Sequence, residues 1–209
     1  QSRIDFKHAA SPTSQKYLLE TMGGGVAVLD YDNDGLLDLI LATGTKLRVL
    51  RNVGDSWSDV TSKAVPEITA AASPRPRVLV SGDIDGDGDT DLIFGSPGGA
   101  LSVARNNAAD TNHSLRVSLA AKISNRSGIG SKIEIRSGSL AQKLETYSAS
   151  PAPAPADLVF GIGKRVSIDA VRVLWPAGIV QAETDIAANK PLSLTELDRK
   201  PSSCPYLYV

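Results

Sequence analysis

With a single cysteine, Cys204, in 209 residues, the chain can close no disulfide within itself. That thiol can be a small buried hydrophobe, a free thiol or an intermolecular partner, and the first is the usual outcome. Histidine is almost as scarce. Only His8 and His113 are present, and no Ser-His-Asp arrangement can be assembled around them. Charge of one sign is missing too: the formal net charge is -1, with an isoelectric point near 6.2. This excludes the basic footprint of a nucleic-acid or membrane-surface binder. No apolar run approaches the roughly 18 residues of a membrane span, and no signal peptide stands at the start. Gln1 is then either a mature end left by cleavage or a plain boundary. Helical periodicity is absent beyond about two turns anywhere in the chain.

What is present is acid, concentrated. Nine of the 23 acidic residues fall in two short segments, Asp30–Asp38 and Asp83–Asp91. They sit inside a repeat. Val26-Ala27-Val28-Leu29-Asp30 leads into one loop and Leu79-Val80-Ser81-Gly82-Asp83 into the other, 53 residues later. Downstream, Leu47-Arg48-Val49-Leu50-Arg51-Asn52 recurs as Leu101-Ser102-Val103-Ala104-Arg105-Asn106, offset by 54. Each copy reads as strand, acidic loop, strand, turn, strand, and Trp57–Thr61 adds an outer strand to the first. A repeat of this length with several short strands is the mark of a propeller blade or a similar array. The runs flanking the loops are continuously aliphatic, which predicts strands covered on both faces.

Both loops fit Asp-x-Asp-x-Asp-Gly-x-x-Asp. In the first, Asp30, Asp32, Asp34 and Asp38 hold positions 1, 3, 5 and 9; in the second, Asp83, Asp85, Asp87 and Asp91 do. Calcium takes six to eight hard oxygen ligands at about 2.3–2.6 Å, and alternating side chains in a tight loop can converge on one such ion. Gly35 and Gly88, at position 6, permit the turn, and Leu36 and Asp89 at position 7 would offer backbone carbonyls. So many carboxylates in nine residues repel one another unless a cation balances them. Two Asx-turn loops without metal are the alternative, and it weakens when the spacing occurs twice in register. Magnesium fits less well, because it demands stricter octahedral geometry. An EF-hand fails outright: Leu41 and Phe94 occupy the place of its bidentate glutamate, inside strands. Two bound calcium ions would bring the formal charge from -1 to +3.

The linker 70–76 carries two prolines, and the polar run Asn107–Asn112 marks a boundary. The predicted organisation is a repeat region over 1–110, a second β domain over 111–200 and an apolar tail over 201–209. In the second domain Leu115–Leu119 and Lys132–Arg136 alternate with period two, so one face is buried and one is solvated. Leu140–Tyr147, Leu158–Phe160, Ala170–Trp175, Val180–Thr184 and Leu192–Leu197 are further strands. Pro151-Ala152-Pro153-Ala154-Pro155 is a loop, since it cannot pair in a central strand. Gly128, Gly130, Gly161, Gly163 and Gly178 read as turn or bulge residues, and Trp175, before Pro176, as a core residue at a strand end. The expected fold is all-β: two propeller-blade-like repeats followed by a β-sandwich-like domain.

Ordered motifs give this organisation a family resemblance. The two copies resemble FG-GAP repeats of the integrin-type propeller. Ser124-Asn125-Arg126-Ser127-Gly128-Ile129-Gly130, Phe160-Gly161-Ile162-Gly163 and Val173-Leu174-Trp175-Pro176-Ala177-Gly178 are similar to the motifs of an ASPIC/UnbV domain. The N-terminal segments Ile4–His8 and Glu20–Ala27 also resemble the start of proteins that join the two, named partly for a cartilage acidic protein. Two departures stand out. Ser114 follows Asn112-His113 where the family usually has Trp, and the Pro/Ala insert replaces the Gly-Tyr-x-Ser-Gln segment before Phe160.

The resemblance implies a calcium-stabilised extracellular scaffold, secreted or at the cell surface, with no defined activity. The expected function is therefore a non-catalytic adhesion or scaffold module that binds another protein chain, copies of itself or a glycan. A structural subunit of a self-assembling surface body is the second reading. A glycan-active enzyme is a distant third, because the best carboxylate pairs are committed to metal and a glycosidase needs two free ones. The tail Tyr206–Val209 is a candidate donor strand for pairing in trans.

Overall fold

The computed structural model describes residues 4, 6, 15, 24–42, 47–65, 78–95, 101–107, 111–148 and 157–198. His8, most of the two N-terminal segments, the 70–76 linker, the Pro151–Pro155 insert, Cys204 and the tail lie outside the described residues.

Fourteen strands and one single-turn helix account for the regular structure among the described residues. The chain is all-β. The first repeat is a four-stranded antiparallel meander: β1 (Val26–Leu29), β2 (Asp38–Ala42), β3 (Leu47–Asn52) and β4 (Trp57–Asp59), in that spatial order. The predicted outer strand at Trp57 is thus present, and Thr61–Ala64 turns into the helix α1. The second repeat gives β5 (Val78–Gly82), β6 (Asp91–Gly95) and β7 (Leu101–Ala104), again antiparallel neighbours. Register follows the repeat: Leu29 pairs with Asp38 and Gly82 with Asp91, so each acidic loop closes the first hairpin of its blade.

The two blades pack face to face. Ala27, Leu29, Ile40, Ala42, Leu47 and Val49 of the first meet Leu79, Leu92 and Phe94 of the second in one apolar cluster. Aliphatic and β-branched side chains suit such a layer, because they pack well on a pleated surface. The expectation of strands covered on both faces holds for β2 and fails for β1. There the pattern alternates, and Val26 and Val28 point outward, more than half exposed. The second blade covers one face of β1, at Ala27 and Leu29, and leaves the other face open.

The second domain is a two-layer sandwich. One sheet runs β10 (Leu140–Glu145), β9 (Lys132–Ser137), β12 (Ser167–Leu174), β13 (Val180–Ala187). The other runs β11 (Leu158–Gly163), β8 (His113–Ala120), β14 (Leu192–Thr195), with β14 parallel to β8. Inward residues of the two sheets form a single core: Leu115, Val117, Phe160 and Ile162 from one, and Ile133, Ile135, Ile168, Val171 and Val173 from the other. Trp175 closes one end of that core, buried, with its Nε1 donating to Gln181 Oε1 at 3.2 Å. The Ser124–Gly130 motif is a loop held from beneath by Glu196. One carboxylate oxygen, Oε2, accepts the backbone N–H groups of Lys122, Ile123 and Ser124. The other, Oε1, accepts the Ser124 hydroxyl.

Candidate metal centres

The two acidic loops have the same internal wiring. Position 1 accepts the N–H of the position-6 glycine: Gly35 to Asp30 Oδ2 at 2.9 Å, Gly88 to Asp83 Oδ2 at 3.2 Å. Position 9 accepts the N–H of position 2: Tyr31 to Asp38 Oδ2, Ile84 to Asp91 Oδ2. Position 9 also accepts a backbone N–H from the end of the third strand, Asn52 in one blade and Asn106 in the other. The glycines stand at φ 97° and 92°, in the left-handed region that side chains disfavour. Position 4 is left-handed as well, at Asn33 (φ 55°) and Gly86 (φ 83°). Asparagine is the non-glycine residue that tolerates this best, which accounts for the different residue types.

These turns gather carboxylates. Asp30, Asp32 and Asp38 each bring an oxygen within 4.8 Å of the others, and Asp83, Asp85 and Asp91 do the same. A shell of oxygens at about 2.3–2.6 Å from one cation spans such a spread. The donor set is all oxygen, the chemistry of a hard cation. Two further observations fit a cation at the first loop. Asp32 Oδ1 is buried without a hydrogen-bond partner. Burial pushes the Asp30 carboxyl up to about 7, against the Gly35 N–H and with the charges of Asp34, Asp38 and Asp32 adding to the rise. Burial likewise pushes Asp38 up to about 6, against the N–H groups of Asn52 and Tyr31. A nearby cation would reverse that strain.

The other residues singled out by spacing are placed differently. Asp34 turns one oxygen to the Leu36 N–H and the other to Arg51, and Asp87 accepts the Asp89 N–H. The Leu36 backbone lies in the first loop, at position 7. Asp89 has its side chain fully buried, where Oδ1 accepts from Asn33 Nδ2 at 2.6 Å and ties the two loops together.

Sequence reasoning missed two arginines. Arg51 Nε lies 2.6 Å from Asp32 Oδ2 and its Nη2 lies 2.8 Å from Asp34 Oδ2. The Nε contact is an ion pair without hydrogen-bond alignment, since that N–H has no partner by angle. Arg105 pairs with Asp85 in the second loop. The signal was the repeated Arg-Asn dipeptide, which ends the third strand of the first blade and directly follows that of the second: the arginine supplies charge and the asparagine N–H grips the ninth aspartate. Asn52 and Asn106 also reach the carbonyls of Leu37 and Thr90, one residue before that aspartate.

The sandwich docks on the loops themselves. Gly163 donates its N–H to Asn33 O at 2.8 Å. Gln142 Nε2 donates to both Gly35 O and Gly161 O, each at 2.9 Å. Ser114 Oγ donates to Gly88 O at 2.7 Å, and Asn112 Nδ2 to Asp32 O at 2.7 Å. Arg116 pairs with Asp157 and reaches Asp83 Oδ2 at 3.4 Å. Gly163 is left-handed and follows a register shift in β11, so its reading as a bulge residue holds. Gly161 needs a different reason. A Cβ there would collide with Asp30 Oδ2 and lie 2.5 Å from the Asn33 Cα. It is glycine because the first loop presses on it.

A family model described as an FG-GAP-like repeat matches residues 30–94, and one described as ASPIC and UnbV matches residues 121–201. The chain is an FG-GAP-like repeat region followed by an ASPIC and UnbV domain. No curated protein matches the chain. In these terms the FG-GAP-like loops are the surface on which the ASPIC and UnbV domain sits, and the Phe160–Gly163 motif of that domain touches the first loop together with Gln142. Among the described residues no helix is long and apolar enough to cross a membrane.

Proposed function

We propose that this chain is a secreted or cell-surface, non-catalytic scaffold module in which two calcium ions hold the FG-GAP-like region and the ASPIC and UnbV domain as one unit. The observation that carries the reading is the pair of equivalent carboxylate triads set in loops whose backbone carbonyls form the domain contact. Calcium at Asp30, Asp32 and Asp38, and at Asp83, Asp85 and Asp91, would fix the turn conformation that presents those carbonyls. The remaining oxygens of each shell would come from Asp34, Asp87 and the position-7 carbonyls. FG-GAP-like repeats are typical of extracellular proteins, where free calcium suits sites with Kd of about 0.1–1 mM.

Outside the loops, His113 and Glu196 are engaged in hydrogen bonds of the sandwich itself. The described histidine, His113, has its Nδ1 3.0 Å from Asn189 Nδ2 on the sandwich edge. Glu196 is occupied by four donors.

Calorimetric titration of the calcium-depleted chain tests the reading. Two equivalents of calcium should bind, and a calcium concentration a hundredfold above Kd should stabilise the fold by about 2.7 kcal/mol for each site filled. Identical melting temperatures in millimolar calcium and in chelator would sink it.

A further inference from the structure

The repeat allows each blade face to be compared with its counterpart one repeat away. In the first blade, Leu47 and Val49 are buried, 5% and 2% exposed, in a cluster shared with the second blade and with Val60, Ala64 and Val65. Their counterparts Leu101 and Val103 are the same residue types at the same strand positions, yet 76% and 60% exposed. Ile40 is buried and its counterpart Ile93 is half-buried beside Val103, with which it pairs. The opposite face shows the reverse. Leu79 of the second blade is buried against the first, whereas its counterpart Val26 is 61% exposed. On that outer face of the first blade Leu41 is buried and Leu39 half-buried, so its open part is the β1 edge, Val26 and Val28.

The two-blade body therefore leaves open, on opposite sides, parts of both halves of its own internal contact. The back of the second blade repeats the surface that the first blade buries. The front of the first blade repeats the surface that the second blade buries only along β1, at Val26 and Val28, since Leu39, Leu41 and Leu50 on the same face are half-buried or buried. Exposed aliphatic rows of this kind on a sheet mark an interaction surface.

We propose that these two faces bind each other between copies of this chain, the back of the second blade of one copy packing on the front of the first blade of the next. The contact continues the existing interface: Leu101, Val103 and Ile93 would meet Val26 and Val28 as Leu47, Val49 and Ile40 share a cluster with Leu79 and its neighbours. Such a contact is head-to-tail, and head-to-tail contacts close into rings when the rotation permits. Propellers close with about four to eight blades. With the two blades of the described residues in each copy, a closed body would hold about two to four copies. This goes beyond the calcium reading, since none of these residues touches a carboxylate triad.

The experiment measures mass by light scattering and sedimentation at about 100 μM chain in millimolar calcium. The wild-type chain should run as two to four copies of the 21.9 kDa protomer. Val103→Lys blocks the back face and Val26→Lys the front, both at exposed positions that tolerate charge without loss of fold. Each variant alone should be monomeric. Mixed one to one, they should form a dimer and nothing larger, because each retains the face the other lacks; a misfolded variant could not form that dimer. A monomeric wild type overturns the proposal. So do assemblies that survive both substitutions, assembly lost with only one of them, or a mixture that stays monomeric.

Discussion

Replacing Gly161 by alanine adds one carbon atom to a strand of the ASPIC and UnbV domain, and it should damage a metal site more than 120 residues earlier in the chain. Gly161 is not left-handed, so alanine brings no backbone strain of its own. The cost is steric. The new Cβ would meet the Asp30 carboxylate and lie 2.5 and 2.7 Å from the Cα and carbonyl carbon of Asn33. Two of these are backbone atoms and cannot swing away. Overpacking of this kind costs about 1–3 kcal/mol. The loop can relieve it only by moving off β11, which breaks the Gly163 N–H to Asn33 O bond and shifts the first ligand of the site. If half of that energy falls on calcium binding, affinity at the first loop drops between about twofold and about tenfold, since about 1.4 kcal/mol is one decade. The second loop faces Ser114 and Arg116 instead and should keep its affinity. Calorimetric titration of Gly161→Ala should show one site weakened and one unchanged. Gly54→Ala is the control, because nothing lies within 4 Å of a Cβ there. Two wild-type sites in Gly161→Ala would refute the coupling of the domain contact to the first metal site.

Asp32→Asn and Asp85→Asn keep shape and remove one charged ligand each; titration should show one site weakened at least tenfold in each variant and both in the double, and a single substitution abolishing all binding would show one cooperative unit instead. Without calcium, the raised carboxyls of Asp30, about 7, and Asp38, about 6, favour the folded chain only while protonated. Their contribution is full below the unfolded value near 3.8 and is lost as pH rises through about 6 to 7, which for Asp30 alone costs about 4 kcal/mol. Melts of the calcium-depleted chain should therefore fall from pH 5 to pH 8, while calcium affinity rises over the same range; a depleted chain that gains stability with pH contradicts the assignment. Burial works against ionisation of Glu196, but the Ser124 N–H and hydroxyl and the Ile123 and Lys122 N–H groups outweigh it and hold the carboxyl below the usual range. That group stabilises the fold above its unfolded pKa and ceases to as pH falls, and Glu196→Ala should cost about 2–3 kcal/mol by chemical denaturation, with calcium binding unchanged.

The acidic loops, their strands and the repeat were legible in the chain because the information is local. Asp30 to Asp38 lie within nine residues, a glycine at position 6 permits one turn, and aliphatic runs on either side have one regular way to pair. The second domain was legible for a similar reason, since period-two alternation at Leu115–Leu119 and Lys132–Arg136 states which side chains face inward. What the sequence could not say is which distant surfaces share a contact. Gly161 looks like any glycine in a strand until Asp30 and Asn33 are folded against it. Asp89 reads as one more loop acid until Asn33 of the other repeat reaches its carboxylate. Val26 and Leu79 occupy equivalent places and are equally apolar, yet one is open and one is buried, because burial depends on whether another blade is present beside the strand. Local spacing determines the turn and the ligand chemistry; only tertiary packing decides which carbonyls, glycines and apolar faces of those turns have a neighbour.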